Sequence, residues 1–162
     1  QKYNILKEEE LSSTKMAKGL QSTPYKTRLF TYGTLKKGGR LDELTKRSEY
    51  MGEYYTIHSV FQMRDYANAF PIVFFDYGQA EGKSIKGHLY ECDVRAVECI
   101  NQMETNANYT PHIADIINEE GDITNALMFV NCNRGAVADS QLSLRNIIEE
   151  KGYQEWQHSV DW

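Results

Sequence analysis

A chain of 162 residues with 41% hydrophobic and 25% charged positions suits one domain with one well-buried core, because chains of this size hide roughly 70% of their unfolded surface. Its formal net charge of −5 argues against a sequence-independent nucleic-acid binder, which needs a basic face to neutralise phosphates. Cys92, Cys99 and Cys132 form no Cys-x-x-Cys pair, so neither a disulfide framework nor a four-cysteine zinc site is indicated, and no apolar run approaches the ~20 residues that span a bilayer; the thiols read as buried and the cytoplasm as the default location.

Residues Gln1 to Lys26 carry the acidic run Glu8-Glu9-Glu10 and few bulky apolar side chains, and read as an N-terminal extension: a short helix over Ile5 to Leu20 or a tail. The domain proper is expected over 27–162. Arg28-Leu29-Phe30-Thr31-Tyr32 is a strand running into a tight turn at Gly33. Lys36 to Gly39 reads as a turn, Leu41, Leu44, Tyr50 and Met51 as a loosely helical segment, and Glu53 to Met63 as a second strand. Pro71 makes the following strand, Tyr66 to Phe75, an edge strand or one that begins at the proline. Ser84 to Cys92 alternates as a strand, with Ile85, Gly87, Leu89 and Glu91 on one face and Lys86, His88, Tyr90 and Cys92 on the other.

Asp93 is placed to cap a helix from Val94 to about Met103 by accepting from its free backbone amides. Val97, Ile100, Met103 and Glu104 then share the inner face, so Glu104 sits at the helix C-terminus, where the helix dipole disfavours a negative charge. His112 to Asn118 and Asn125 to Asn131 form a hairpin about Glu119-Glu120-Gly121-Asp122, and Leu142 to Tyr153 reads as a closing amphipathic helix. Five or six strands broken by two or three helices, without βαβ alternation, predict an α+β chain closed as a small mixed β-barrel with flanking helices.

The most informative segment is Tyr32-Gly33-Thr34-Leu35, followed by Lys36-Lys37-Gly38-Gly39. A glycine at a strand end lets consecutive amides point into one concavity and bind an anion; the plainer reading is a turn that merely needs glycine. It is not a nucleotide phosphate loop, since no Gly-Lys-Ser/Thr order follows. His58, His88, His112 and His158 have no ligand spacing and read as structural, so no metal site is expected.

Leu29 through Gly38 resembles the opening motif of the gamma-glutamyl cyclotransferase-like family, nearest to its gamma-glutamylamine, AIG2-like branch. The resemblance continues in order through Gly52 and Thr56, Phe70-Pro71, Ile85 to Asp93, Ile100 to Glu104, and Tyr109, covering about Arg28 to Val130. It implies a cofactor-free enzyme acting on a small gamma-glutamyl substrate and releasing 5-oxoproline. Glu104 would be the acid/base, and Tyr32, Gly33, Thr34, Leu35 and Tyr109 the substrate-binding residues. The chemistry asks for such a set. An α-amine with a pKa of about 8 must lose a proton before it can attack its own γ-carbonyl, and a desolvated carboxylate can take it.

The chain departs from the family pattern at Asn101 (usually Asp), His88 (usually Glu) and Phe129 (often Tyr), and Thr110-Pro111-His112 stands where an arginine is common. Phe129 cannot donate a hydrogen bond, which leaves open a second reading, a member of the fold that binds a ligand or protein without turnover. A related acyl transfer on a gamma-glutamyl conjugate is a third.

Overall fold

The computed structural model describes residues 21–23, 26–33, 48–76, 82–131, 134–150 and 152–157. The expected turn at 36–39, most of the segment at 41–51, Thr34, Leu35 and Cys132 lie outside them, as do residues 1–20. In chain order the strands are β1 (Gln21–Thr23), β2 (Lys26–Thr31), β3 (Glu49–Thr56), β4 (Phe61–Tyr66), β5 (Phe70–Phe75) and β6 (Ser84–Asp93). Helix α1 (Val94–Asn106) follows, then β7 (Tyr109–Ile117), β8 (Ile123–Asn131), β9 (Leu142–Ser143), β10 (Ile147–Glu150) and β11 (Tyr153–Trp156).

Five of these strands close a ring. β2 pairs antiparallel with β6, β6 with β3, β3 with β7 and β7 with β8, and β8 returns to β2 in parallel at Leu29↔Leu127. The α+β expectation and its mixed closure therefore hold, with β1 extending the ring beyond β2 and β11 and β10 extending it beyond β6. β4, β5 and β9 form a separate three-stranded sheet in which β5 is an edge, as Pro71 requires of a residue with no amide hydrogen.

The wall of the ring separates two apolar clusters, because successive side chains of a strand point to opposite faces. Phe30, Ile85, Leu89, Ala114, Ile116, Ala126, Met128 and Val130 point to one, which also receives Phe61, Met63 and Val73 from the small sheet and Trp156 from β11. Leu29, Tyr90, Cys92, Leu127 and Phe129 point to the other, where Val97 and Ile100 of α1 cover them. β6 accordingly buries Ile85, Gly87 and Leu89 on one face and Tyr90 and Cys92 on the other. Of the cysteines, Cys92 is buried and Cys99 exposed.

The helix begins as its cap predicts, with the Asp93 carboxylate accepting from the Arg95 amide at 2.8 Å. Three expectations are corrected. Tyr50 and Met51 belong to strand β3. Glu53 to Met63 is divided between β3 and β4, which lie in different sheets. The described residues of the expected helix over 142–153 form strands instead: Asn146 and Gly152, with φ of 61° and 90°, flank β10, which pairs antiparallel with β11, and β11 joins β6 in parallel. Lys86 fastens the same junction, its ammonium 3.4 Å from the Glu53 carboxylate of β3 and 3.7 Å from that of Glu155 on β11.

The hairpin is anchored by a buried amide. Gln154, 1% exposed, accepts from the Met63 amide at 2.8 Å and donates to the Met63 carbonyl at 3.2 Å. Leucine at this position keeps the bulk but strands the Met63 amide, while the Met63 carbonyl still accepts from the Arg64 guanidinium at 2.8 Å, so Gln154→Leu is expected to cost about 1–3 kcal/mol, read as a lower midpoint in denaturant unfolding at unchanged slope. An unchanged midpoint would show that the clamp contributes nothing.

Candidate active site

β2 ends at Thr31 and delivers Tyr32 and Gly33 to one end of the ring. Tyr32 is buried, and its hydroxyl donates to the Phe129 carbonyl on β8 at 2.5 Å, although 97 residues separate them. Gly33 does not have the left-handed backbone that favours glycine. Its reason is space. A Cβ there would lie 2.6 Å from Cγ and 3.1 Å from Cδ of Pro71, the second residue of β5.

Pro71 is also bound from the other side, where the Tyr109 hydroxyl donates to its carbonyl at 3.2 Å. Tyr109 opens β7 directly after α1. The link is tight: the Ala107 amide donates to the Glu104 carbonyl at 3.0 Å, and Asn108, with φ of 69°, reverses the chain. Tyr32, Gly33, Pro71, Phe129, Tyr109 and the last turn of α1 thus form one connected group, in which Pro71 joins the small sheet to the ring.

Glu104 lies half-buried in that last turn, and burial lifts its carboxyl to about 7. Burial also raises both tyrosine hydroxyls, and the Glu104 charge adds to the shift in each. That coupling ties the three groups together electrostatically, and the two phenols stay protonated across the neutral range. Among the described residues no group of three His, Cys, Asp or Glu is placed to hold a metal ion.

Of the residues singled out in the sequence, Glu104, Tyr32, Gly33 and Tyr109 are therefore brought together, while Thr34 and Leu35 lie outside the described residues. The three departures fall differently. Phe129 buries its ring in the cluster beneath α1 and contributes its carbonyl to Tyr32. His88 sets its ring edge against Tyr50, with centroids 5.2 Å apart, on β6. Asn101 is half-buried on α1. What sequence reasoning missed is Pro71 as the residue that Gly33 packs on. Its signal was the Phe70-Pro71 pair, read there as a strand edge and as one step of the family resemblance but not as the partner of Gly33.

The contact predicts its own test. Gly33→Ala forces the Pro71 ring aside and is expected to cost about 1–3 kcal/mol. In the Gly33→Ala/Pro71→Ala double variant the loss should be smaller than the sum of the two single losses, because both act on one contact. Additive losses in thermal unfolding would contradict the packing described.

Against this geometry stand the comparisons with known proteins. The model of the family described as Gamma-glutamyl cyclotransferase, AIG2-like, matches residues 29–155. Among solved structures, an AIG2-like protein from Mus musculus is similar at 19% identity and a TM-score of 0.59, over 72% of this chain and 82% of that one. YkqA from Bacillus subtilis is 25% identical with a TM-score of 0.52, over 66% of this chain but 36% of that one, so the chain spans little more than a third of its length. A protein named gamma-glutamyl cyclotransferase shares 12% identity and a TM-score of 0.51, over 65% of this chain and 66% of that one. No curated protein matches the chain.

Proposed function

The chain belongs to the AIG2-like gamma-glutamyl cyclotransferase family, and on that premise we propose that it releases 5-oxoproline from a gamma-glutamyl compound, either a gamma-glutamylamine or a gamma-glutamyl amino acid. The observation that carries the reading is Glu104, a carboxyl lifted to about 7 by burial and coupled to Tyr32 and Tyr109.

A glutamate at its ordinary value near 4.5 is a weak base toward an ammonium group of pKa about 8; at about 7 the proton transfer is nearly balanced. Glu104 takes one proton from the α-ammonium, and the freed nitrogen attacks the γ-carbonyl carbon. A carbon–nitrogen bond forms to close the five-membered ring as the bond to the departing amine breaks. The two protons lost by the α-nitrogen are those gained by the leaving nitrogen, so the lactam keeps one hydrogen and the amine departs charged. Glu104 serves as acceptor and then donor, and ends as it began.

The substrate already contains nucleophile and electrophile, so the protein's main task is to fold it toward ring closure. Backbone amides of the loop from Tyr32 to Leu35 are assigned the substrate α-carboxylate, which leaves the α-nitrogen toward Glu104. No step calls on a metal or an organic cofactor.

The test is 5-oxoproline release from a panel of gamma-glutamylamines and gamma-glutamyl amino acids by the purified protein. Turnover of any member supports the reading and identifies the leaving amine. A folded protein that turns over none of them transfers the case to a ligand-binding member of the fold.

A further inference from the structure

Asp65 is an acidic residue at 0% exposure, on β4 directly opposite Pro71. Residues opposed in this way carry their side chains on one face, so its carboxylate stands beside the Pro71 ring, in the row that continues from Phe61 and Met63. A carboxylate removed from water needs hydrogen bonds. One of its oxygens, Oδ1, is buried with no partner. The other accepts from Nδ2 of Asn146 at 2.8 Å, and among the described residues Asn146 is the side chain that meets it.

Asn146 is itself firmly held. It lies between β9 and β10 with φ of 61°, and its carbonyl accepts from the Gln157 amide, just after β11, at 2.9 Å. A side-chain amide nitrogen has two hydrogens, and here both are used: the second goes to Oδ1 of Asn68 at 2.9 Å, in the turn between β4 and β5. One side chain thus holds the β4–β5 hairpin at its strand and at its turn, 81 and 78 residues away along the chain. Pro71 has no amide hydrogen to give to β4, while its ring and carbonyl face Gly33 and Tyr109. Its place against those two residues therefore follows where β4 stands.

We propose that Asn146, acting through Asp65, is a positioning residue for the site: it sets the place of Pro71 against Gly33 and Tyr109. The inference rests on the cyclotransferase reading and deepens it, by giving the segment beyond Val130, where the ordered motifs end, a part in shaping the site. When the Asp65 link is released, β4 remains paired with β5 and β9, and the Ala67 amide still donates to the Gln141 carbonyl at 2.8 Å, so the hairpin persists. What is lost is the hold on the rung that carries Pro71. Gly33 belongs to the loop assigned the substrate α-carboxylate, so displacement of Pro71 weakens binding of substrate and transition state alike and appears in KM rather than kcat.

Asn146→Gly tests this, because glycine accepts the positive φ while removing the amide. In 5-oxoproline release it should raise KM about 5–20-fold and leave kcat within about 3-fold. Asp65→Asn keeps an oxygen for Asn146 and should leave KM within about 2-fold of native. Gln154→Leu is the control for mere loosening: it unclamps the same C-terminal hairpin from β4 at Met63, whose partner on β5 is Val73, and KM should again stay within about 2-fold. Hydrogen exchange at Tyr32 and Gly33 reads the same displacement without turnover, and should quicken about 10-fold in Asn146→Gly but not in Gln154→Leu. If Asn146→Gly does not fold, the Asp65→Leu/Asn146→Gly double variant, which strands no carboxylate, takes its place with the same expectations. An unchanged KM in an active Asn146→Gly protein, or an equal rise in Gln154→Leu, overturns the positioning role and leaves the cyclotransferase reading in place. A native protein without turnover overturns that reading instead, and the exchange comparison then decides by itself whether Asn146 positions Pro71.

Discussion

Replacing Glu104 with glutamine is expected to lower 5-oxoproline release by about 10²–10⁴-fold, the range supplied by a positioned acid/base, and at the same time to stabilise the protein. The two effects have one origin. Burial lifts the folded-state carboxyl from 4.5 to about 7, so the folded chain prefers the protonated form. For a carboxyl raised in this way, the stabilising contribution is complete below about pH 4.5 and is lost as pH rises through about 7. Above that pH the native protein bears a charge it has poorly solvated.

Glutamine cannot ionise and escapes this penalty. At pH 8 the variant should exceed the native protein by about 1–3 kcal/mol, and at pH 4 the two should be nearly equal. Activity of the native enzyme runs the other way. The base must be deprotonated, so kcat/KM should fall with decreasing pH below about 7 and this limb should vanish in the variant. Denaturation curves at the two pH values, set beside the pH–rate profile, check both arms. A variant that loses activity without gaining stability at pH 8 would show that Glu104 is not a desolvated carboxyl.

The second large effect is structural and reaches the site through β2. Gly87 lies on β6 where β2 crosses it, and a Cβ at this position would fall on the Thr31 carbonyl oxygen and 2.9 Å from Cζ of the buried Phe30 ring. Backbone cannot yield as a flexible side chain can. Gly87→Ala is therefore expected to lose about 3 kcal/mol or more, lowering Tm by at least about 6 °C. Gly135→Ala is the control, since a Cβ there meets nothing within 4 Å, and it should stay within about 0.5 kcal/mol of the native protein. Thr31 is followed at once by Tyr32, so relief of the clash by sliding β2 would displace the site. A Gly87→Ala protein that melts with the native one would refute the close crossing of β2 and β6.

The local periodicities of the chain were enough to place β2, β6, the α1 cap and the β7–β8 hairpin, because these rest on interactions between near neighbours: period-two alternation, an Asp before a helical run, and a Gly-Asp turn. The same local view read residues 142–153 as a helix. Ile147 and Ile148 fit an apolar helical face, and the buried alternation of Gln154 and Trp156 was disguised by a polar residue. A buried glutamine is recognisable as core only when its partner is known, and that partner, Met63, is 91 residues away.

The site divides in the same way. The sequence by itself determined which residues to examine, since Tyr32, Gly33, Glu104 and Tyr109 stand in an ordered motif whose spacing survives without any coordinates. Only the tertiary structure decided what each does locally. Ring closure through β2 and β6 brings Pro71 against Gly33, commits both tyrosine hydroxyls to backbone carbonyls, and buries Glu104 deeply enough to lift its carboxyl to about 7. Desolvation and hydrogen-bond direction are properties of surroundings assembled from distant segments, so no reading of neighbours along the chain can supply them.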